Sequence, residues 1–187
     1  MHNKFRLFLF LLAFSFWIIP FFLRVFVVDM SDITVVSAEN DDTIVTEVVQ
    51  QLNEGNNHRA FMLVLKNNLL GCVVNILGGV LLGLLTLFNL VYNGFFMADA
   101  FMHAYNVVGL DTGLLLKLFL PHSFELIGFW MSGAVGFYIA WNIIQVMLDK
   151  KNIAPYFYKN VGISFVIIVL IISLAAYMEV YVSATFV

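Results

Sequence analysis

Four long apolar runs, at residues 7–28, 69–91, 126–148 and 161–182, dominate the chain. Each is long enough to cross a hydrocarbon core about 30 Å thick, which takes roughly 20 residues of helix. Inside a bilayer every backbone N–H and C=O must find its partner within the protein, so runs of this length fold as helices. Composition points the same way. With 62% hydrophobic residues, 20 Phe and 11% charged residues, a chain of 187 residues carries far more apolar surface than a soluble core could hide. The chain reads as an all-α, polytopic membrane protein whose first partner is the lipid bilayer.

Charge sets the orientation. Lys4 and Arg6 precede the first run, and Lys150, Lys151 and Lys159 lie between the last two, so the positive-inside bias places both regions in the cytoplasm. The chain must then cross outward between the runs at 69–91 and 126–148. The stretch from Phe95 to Leu110 carries Asp99, His103 and Asn106, and it either spans with protein around it or re-enters as a hairpin. The expected architecture is a transmembrane helix bundle of about five membrane segments. It forms one integral domain over residues 1–187, with its amino terminus cytoplasmic. No basic patch suggests nucleic acid, and the lone Cys72 rules out an intrachain disulfide.

The first run also has features of a signal peptide, because Val36-Ser37-Ala38 resembles a small-residue cleavage site. That tripeptide lies too far beyond the apolar run. Pro20 and Arg24 near the run's far end suit a retained helix anchored at the interface.

Residues 29–59 form the main polar region, with Asp29, Asp32, Glu39, Asp41, Asp42, Glu47 and Glu54 but no basic side chain before Arg59. An acidic segment of this kind translocates readily and is expected outside the cytoplasm. Its carboxylates lack the spacing of a Ca²⁺ loop, so it reads as a solvated loop rather than a metal site. Residues 33–37 suit a short strand, and 43–52 suit a short helix capped by Asp41 or Asp42. Gly55-Asn56-Asn57 marks a turn. Residues 60–65 then resemble an interfacial helix leading into the second span, with Lys66 snorkelling.

Small residues recur inside the spans. Gly71, Gly78, Gly79 and Gly83 fall near one face of the second run, and Gly128, Gly133 and Gly136 lie beside Ser132 and Ala134 in the third. Such spacing lets helix backbones approach closely, so these two spans are expected to cross, within one subunit or between copies of a homo-oligomer. Asn67, Asn68, Asn75 and Asn89 are amides that each need partners at membrane depth, as glue between helices or as the lining of a polar path. Tyr92-Asn93-Gly94 reads as a turn.

His122 and Glu125 are three residues apart, which puts both on one helix face, with Pro121 placed to start that helix. Two such groups do not make a zinc site. Only His103, Asp99 and Glu179 remain to complete one, and no metal or cofactor is expected. Ser123 is adjacent to His122 and cannot face it on a helix, so no nucleophilic dyad follows. No Gly-rich phosphate loop with a Lys is present, so any energy source would reside in a partner. The pair reads as a hydrogen-bonded brace, a proton relay or a substrate contact.

Taken in order, Lys66-Asn67-Asn68, the Gly-rich second span, Asn93-Gly94 and Pro121-His122-Ser123-Phe124-Glu125 before another Gly-rich span resemble the stage II sporulation protein M family. The likeness covers about residues 61–148. Members of that family typically carry a paired-Asn segment, an Asn-Gly turn and a Pro-His-Gly-x-x-Glu stretch; here Ser123 stands where Gly is usual. The resemblance implies a multi-pass protein of the bacterial cytoplasmic (inner) membrane that acts as a scaffold for cell-envelope partners. The expected role is therefore a non-enzymatic membrane scaffold or assembly component. The alternative is a transport subunit, working with a separate ATPase, in which the amides and His122/Glu125 line a path. An intramembrane hydrolase is a weaker third reading.

Overall fold

The computed structural model describes residues 3–27, 44–106, 112–149 and 155–182, with the backbone alone at residues 3, 45, 103–106 and 112–122. Among these residues the chain is helical, with no strand: α1 (Asn3–Val27), α2 (Ile44–Asn53), α3 (Asn57–Gly78), α4 (Leu84–Asn106), α5 (Thr112–Met147) and α6 (Tyr156–Tyr181). Five stretches are long and apolar enough to cross a membrane: Lys4–Val27, Asn57–Leu81, Leu84–Met102, Ser123–Met147 and Tyr156–Tyr181. The ten-residue α2 extends only about 15 Å and lies against α3. The chain is thus an all-helical, multi-pass membrane protein.

The apolar run at 69–91 is not one crossing. Helix α3 ends at Gly78, a single 3₁₀ turn covers Gly79–Leu81, and Leu82 and Gly83 both take positive φ, 55° and 84°. The Gly83 N–H donates to the Gly78 carbonyl at 3.1 Å, closing a tight reversal before α4 begins at Leu84. This turn is built from glycine and aliphatic residues, so hydropathy continues straight through it. Two further expectations change as a result. Residues 60–65 belong to the first turns of α3 and form no separate interfacial helix, and Tyr92-Asn93-Gly94 lies inside α4 and is no turn. The stretch from Phe95 enters the second half of α4, a helix of spanning length rather than a re-entrant hairpin, and residues 107–111 lie outside the described residues.

Pro121 does not start a helix either, because α5 begins at Thr112 and continues through it. The preceding Leu114-Leu115-Leu116 and Leu118-Phe119-Leu120 are good helix formers, and membrane helices tolerate an internal proline. The short helix expected at 43–52 is α2, and Gly55 makes the following turn with φ 76°. The expected caps Asp41 and Asp42, the strand at 33–37 and Val36-Ser37-Ala38 lie outside the described residues.

Helix α5 is the hub, packed against α1, α3, α4 and α6. Half of its apolar stretch is buried, against 17 to 22% of the other spans. One apolar cluster joins Ala13 and Trp17 of α1, Cys72 of α3, Leu90 of α4, Phe129 and Val135 of α5, and Ile168 and Ile172 of α6. Trp130 of α5 meets Phe14 and Trp17 of α1 edge-on, at centroid distances of 4.8 and 5.5 Å. A second cluster joins α3 to α6 through Ala60, Val64, Ala176 and Val180, with Val48 and Leu52 of α2 laid over it. Side chains such as Leu170 and Leu84 point outward, where lipid tails accept them at no hydrophobic cost.

Candidate functional site: a polar ladder beneath an intramembrane cavity

Where α3, α4 and α5 meet, five polar side chains of the spans, Asn75, Thr86, Asn89, Asn93 and Ser132, join into one hydrogen-bonded series. Asn93 on α4 donates its Nδ2 to the backbone oxygen and the Oδ1 of Asn89, at 2.8 and 3.0 Å. Asn89 donates to the Gly71 carbonyl at 3.1 Å and to Asn75 Oδ1 at 2.9 Å. Asn75, fully buried on α3, donates to Ser132 Oγ at 2.9 Å and to the Phe129 carbonyl at 3.3 Å. Ser132 Oγ in turn donates to the Phe129 carbonyl at 2.6 Å, and Thr86 Oγ1 donates to the Asn75 carbonyl at 2.7 Å. Helical spacing explains the alignment. Residues 71 and 75 on α3, 86, 89 and 93 on α4, and 129 and 132 on α5 each form a stripe at three- or four-residue intervals.

Glycine permits the approach that these bonds require. A Cβ on Gly136 would collide with the Asn75 carbonyl and lie 2.6 Å from Thr86 Oγ1, and one on Gly79 would strike the Gly136 carbonyl. At Gly78 the obstacle is the Thr86 backbone, so this residue serves the reversal between α3 and α4. Gly83, placed with the other glycines on one face by sequence, is instead in the turn itself. Gly71 lies over the Phe129 ring, and Gly128 lies against Ile172 of α6. Gly94 gives α1 its close contact with α4, since a Cβ there would meet the Trp17 carbonyl.

Above the ladder is a cavity of about 60 Å³, lined by Trp17, Asn67, Asn68, Gly71, Asn93 and Glu125, with Phe96, Met97, Leu126 and Phe129 completing its walls. Four of the polar residues singled out in the sequence, Asn67, Asn68, Asn93 and Glu125, therefore share one space. Asn67 and Phe96 are exposed and form its rim, while Glu125 is half-buried. Asp99 is elsewhere: its carboxylate accepts from Arg24 Nε at 2.6 Å, tying α4 to the far end of α1. The side chains of His122 and His103 lie outside the described residues, so the His122/Glu125 pairing does too. Among the described residues no group of three or more His, Cys, Asp or Glu could hold a metal ion. Asn89, Thr86 and Ser132 complete a network in which the sequence had marked amides and small residues only separately.

The family model for stage II sporulation protein M matches residues 5–184. An uncharacterized protein of Methanocaldococcus jannaschii is 30% identical over 128 residues, covering 66% of this chain and 70% of its own length. That relative is archaeal, so the likeness does not restrict the chain to bacteria. No solved structure matches. With almost its whole length matched, the chain belongs to the stage II sporulation protein M family.

Proposed function

We propose that this protein is a non-enzymatic scaffold of the cell envelope, a rigid multi-pass platform that holds partner proteins at the cytoplasmic membrane. The observation that carries this reading is the use made of the buried polar groups. Asn75, Thr86 and Ser132 are fully buried and bonded to one another or to backbone carbonyls, so they brace three helices together and close the protein below the cavity. A carrier would need a continuous polar route at that level. Five crossings also fit the charge bias: an amino terminus in the cytoplasm puts the α5–α6 connection, with Lys150 and Lys151, on the same side. The acidic segment and the exposed outer surface of α2 then face away from the cytoplasm, available to envelope partners.

The transport reading draws support from one feature, the cavity that places Glu125 among three amides. Photo-crosslinking in native cells separates the two. A scaffold gives the same discrete protein adduct from probes at Val49 on α2 and at neighbouring exposed positions. Solute flux through vesicles containing this chain with an energised ATPase subunit, and no such adduct, would establish the carrier instead.

A further inference from the structure

Helix α4 carries one face that this chain leaves uncovered. Leu85, Phe88, Tyr92 and Phe95 recur at steps of three and four residues, so they form a single stripe, and all four are exposed. Tyr92 does not suit a lipid-facing stripe. It stands about 12 Å along the helix from Leu84, where α4 begins, and about 10 Å short of Asp99, the next charged side chain. The residue is 58% exposed, and its ring stacks on that of Phe88, one turn back, which directs the hydroxyl toward the reversal rather than toward Asp99. Leu81, Leu82, Leu84 and Leu85 are exposed at that end, so hydrocarbon surrounds it. Among the described residues the hydroxyl has no hydrogen bond. Exposed mid-span positions on other helices differ: Leu11 and Ile19 of α1 and Val166 and Leu170 of α6 are aliphatic. A hydroxyl without a partner in hydrocarbon is costly, so one held at this depth on an apolar stripe points to a polar group across an interface.

We propose that α4 pairs in parallel with α4 of a second copy of this chain, with the two Tyr92 hydroxyls bonded to each other across a two-fold axis. Symmetry selects this partner. Two copies of a membrane protein share one orientation, so the axis relating them runs along the membrane normal and sets each residue beside its own copy at equal depth. A tyrosine hydroxyl both donates and accepts, so a second Tyr92 satisfies the first with no other residue required. A different membrane protein would have to bring its own polar group to that level. Spacing of three and four residues is also the seam along which parallel helices pack at a shallow crossing angle, here with Phe88 and Phe95 flanking the polar contact. Asp99 continues the same stripe, and Arg24 of its own chain offsets the carboxylate, so pairing does not set two bare charges together. The glycines of α3 and α5 are occupied within the subunit, Gly79 against Gly136, which leaves α4 for contact between copies. The pairing does not depend on whether the protein is a scaffold or a carrier.

The test uses the purified full-length protein in lipid vesicles. Energy transfer between donor- and acceptor-tagged chains, followed as lipid is added, should show a dimer that dissociates on dilution. Tyr92→Phe removes a hydroxyl that bonds nothing within the described chain, so it should fold as the parent does and weaken the dimer roughly 3- to 20-fold. Leu170→Ala, on α6, should leave the affinity unchanged. A photo-crosslinking residue at Phe88 should give an adduct of twice the chain mass, and one at Leu170 should not. A monomer at every lipid ratio would mean that lipid or another protein covers this face, and it overturns the proposal. So does a Tyr92→Phe dimer as tight as the parent, or an adduct that forms from Leu170 as readily as from Phe88.

Discussion

Asn89 on α4 donates its side-chain amide to the side-chain oxygen of Asn75 on α3 at 2.9 Å, across the hairpin that joins the two helices. Each of these amides makes three side-chain hydrogen bonds. Bonds between membrane helices are worth about 0.6 kcal/mol each on average, so Asn75→Leu and Asn89→Leu should each cost roughly 2 kcal/mol. They share one bond, and the double variant should therefore lose less than the sum, by about 0.6 kcal/mol. Unfolding in mixed micelles measures all three. Strict additivity would show that the two amides act independently.

Glycine substitutions should divide by position. Gly136→Ala drives a methyl into the Asn75 carbonyl and Thr86, backbone and buried side chain that have no room to yield. A loss of about 1–3 kcal/mol is expected from overpacking. Gly162 on α6 has nothing within 4 Å of an added Cβ, so Gly162→Ala should gain up to about 1 kcal/mol through helix propensity. Thermal melts of the two proteins should move in opposite directions, and a parallel change would discount the close crossing.

The reversal between α3 and α4 makes a paired prediction. Leu82 and Gly83 both have left-handed backbone angles, a conformation that costs a side chain roughly 1 kcal/mol or more. Leu82→Gly should consequently be neutral or stabilising. Gly83→Ala should destabilise, because it adds backbone strain and brings a methyl to 3.3 Å from Phe137 and 3.4 Å from Ala140. The order of melting temperatures, Leu82→Gly at or above parent and parent above Gly83→Ala, is the readout.

This same reversal marks where the sequence stops being readable. Spans flanked by charge at both ends, such as α1, follow directly from hydropathy, because charged residues are costly at bilayer depth. The chain turns at Leu82-Gly83 without leaving apolar sequence, so one long run conceals two helix ends and displaces the boundaries of α3 and α4. Asn93 looked like a turn residue because Asn-Gly pairs usually are. In α4 the i to i−4 bond from Asn93 to Asn89 keeps the amide within the helix, and Gly94 serves the contact with Trp17. Asn67, Asn68 and Glu125 were recognisable as polar groups in costly places. Their meeting with Asn93 around one cavity depends on how α3, α4 and α5 pack, which no local spacing encodes.

Arg24 and Asp99 illustrate the same limit, since 75 residues separate them and each is an isolated charge in its own apolar helix. Only the packing of α1 against α4 makes them a pair, with side chains 14% and 43% exposed. The Asp99 side is open enough that solvent or lipid headgroups screen the attraction, so the coupling should be modest, about 1 kcal/mol. A double-mutant cycle with Arg24→Ala and Asp99→Ala in nanodiscs measures it, and no coupling energy would deny the bridge any role in stability. Arg24→Lys supplies the sharper contrast. The bond uses Nε, which a lysine ammonium on a flexible stem does not reproduce, so Lys should recover the charge attraction but only part of the stability lost in Arg24→Ala. Full recovery by Lys would mean that charge alone, rather than the guanidinium's geometry, holds α1 to α4 at this end.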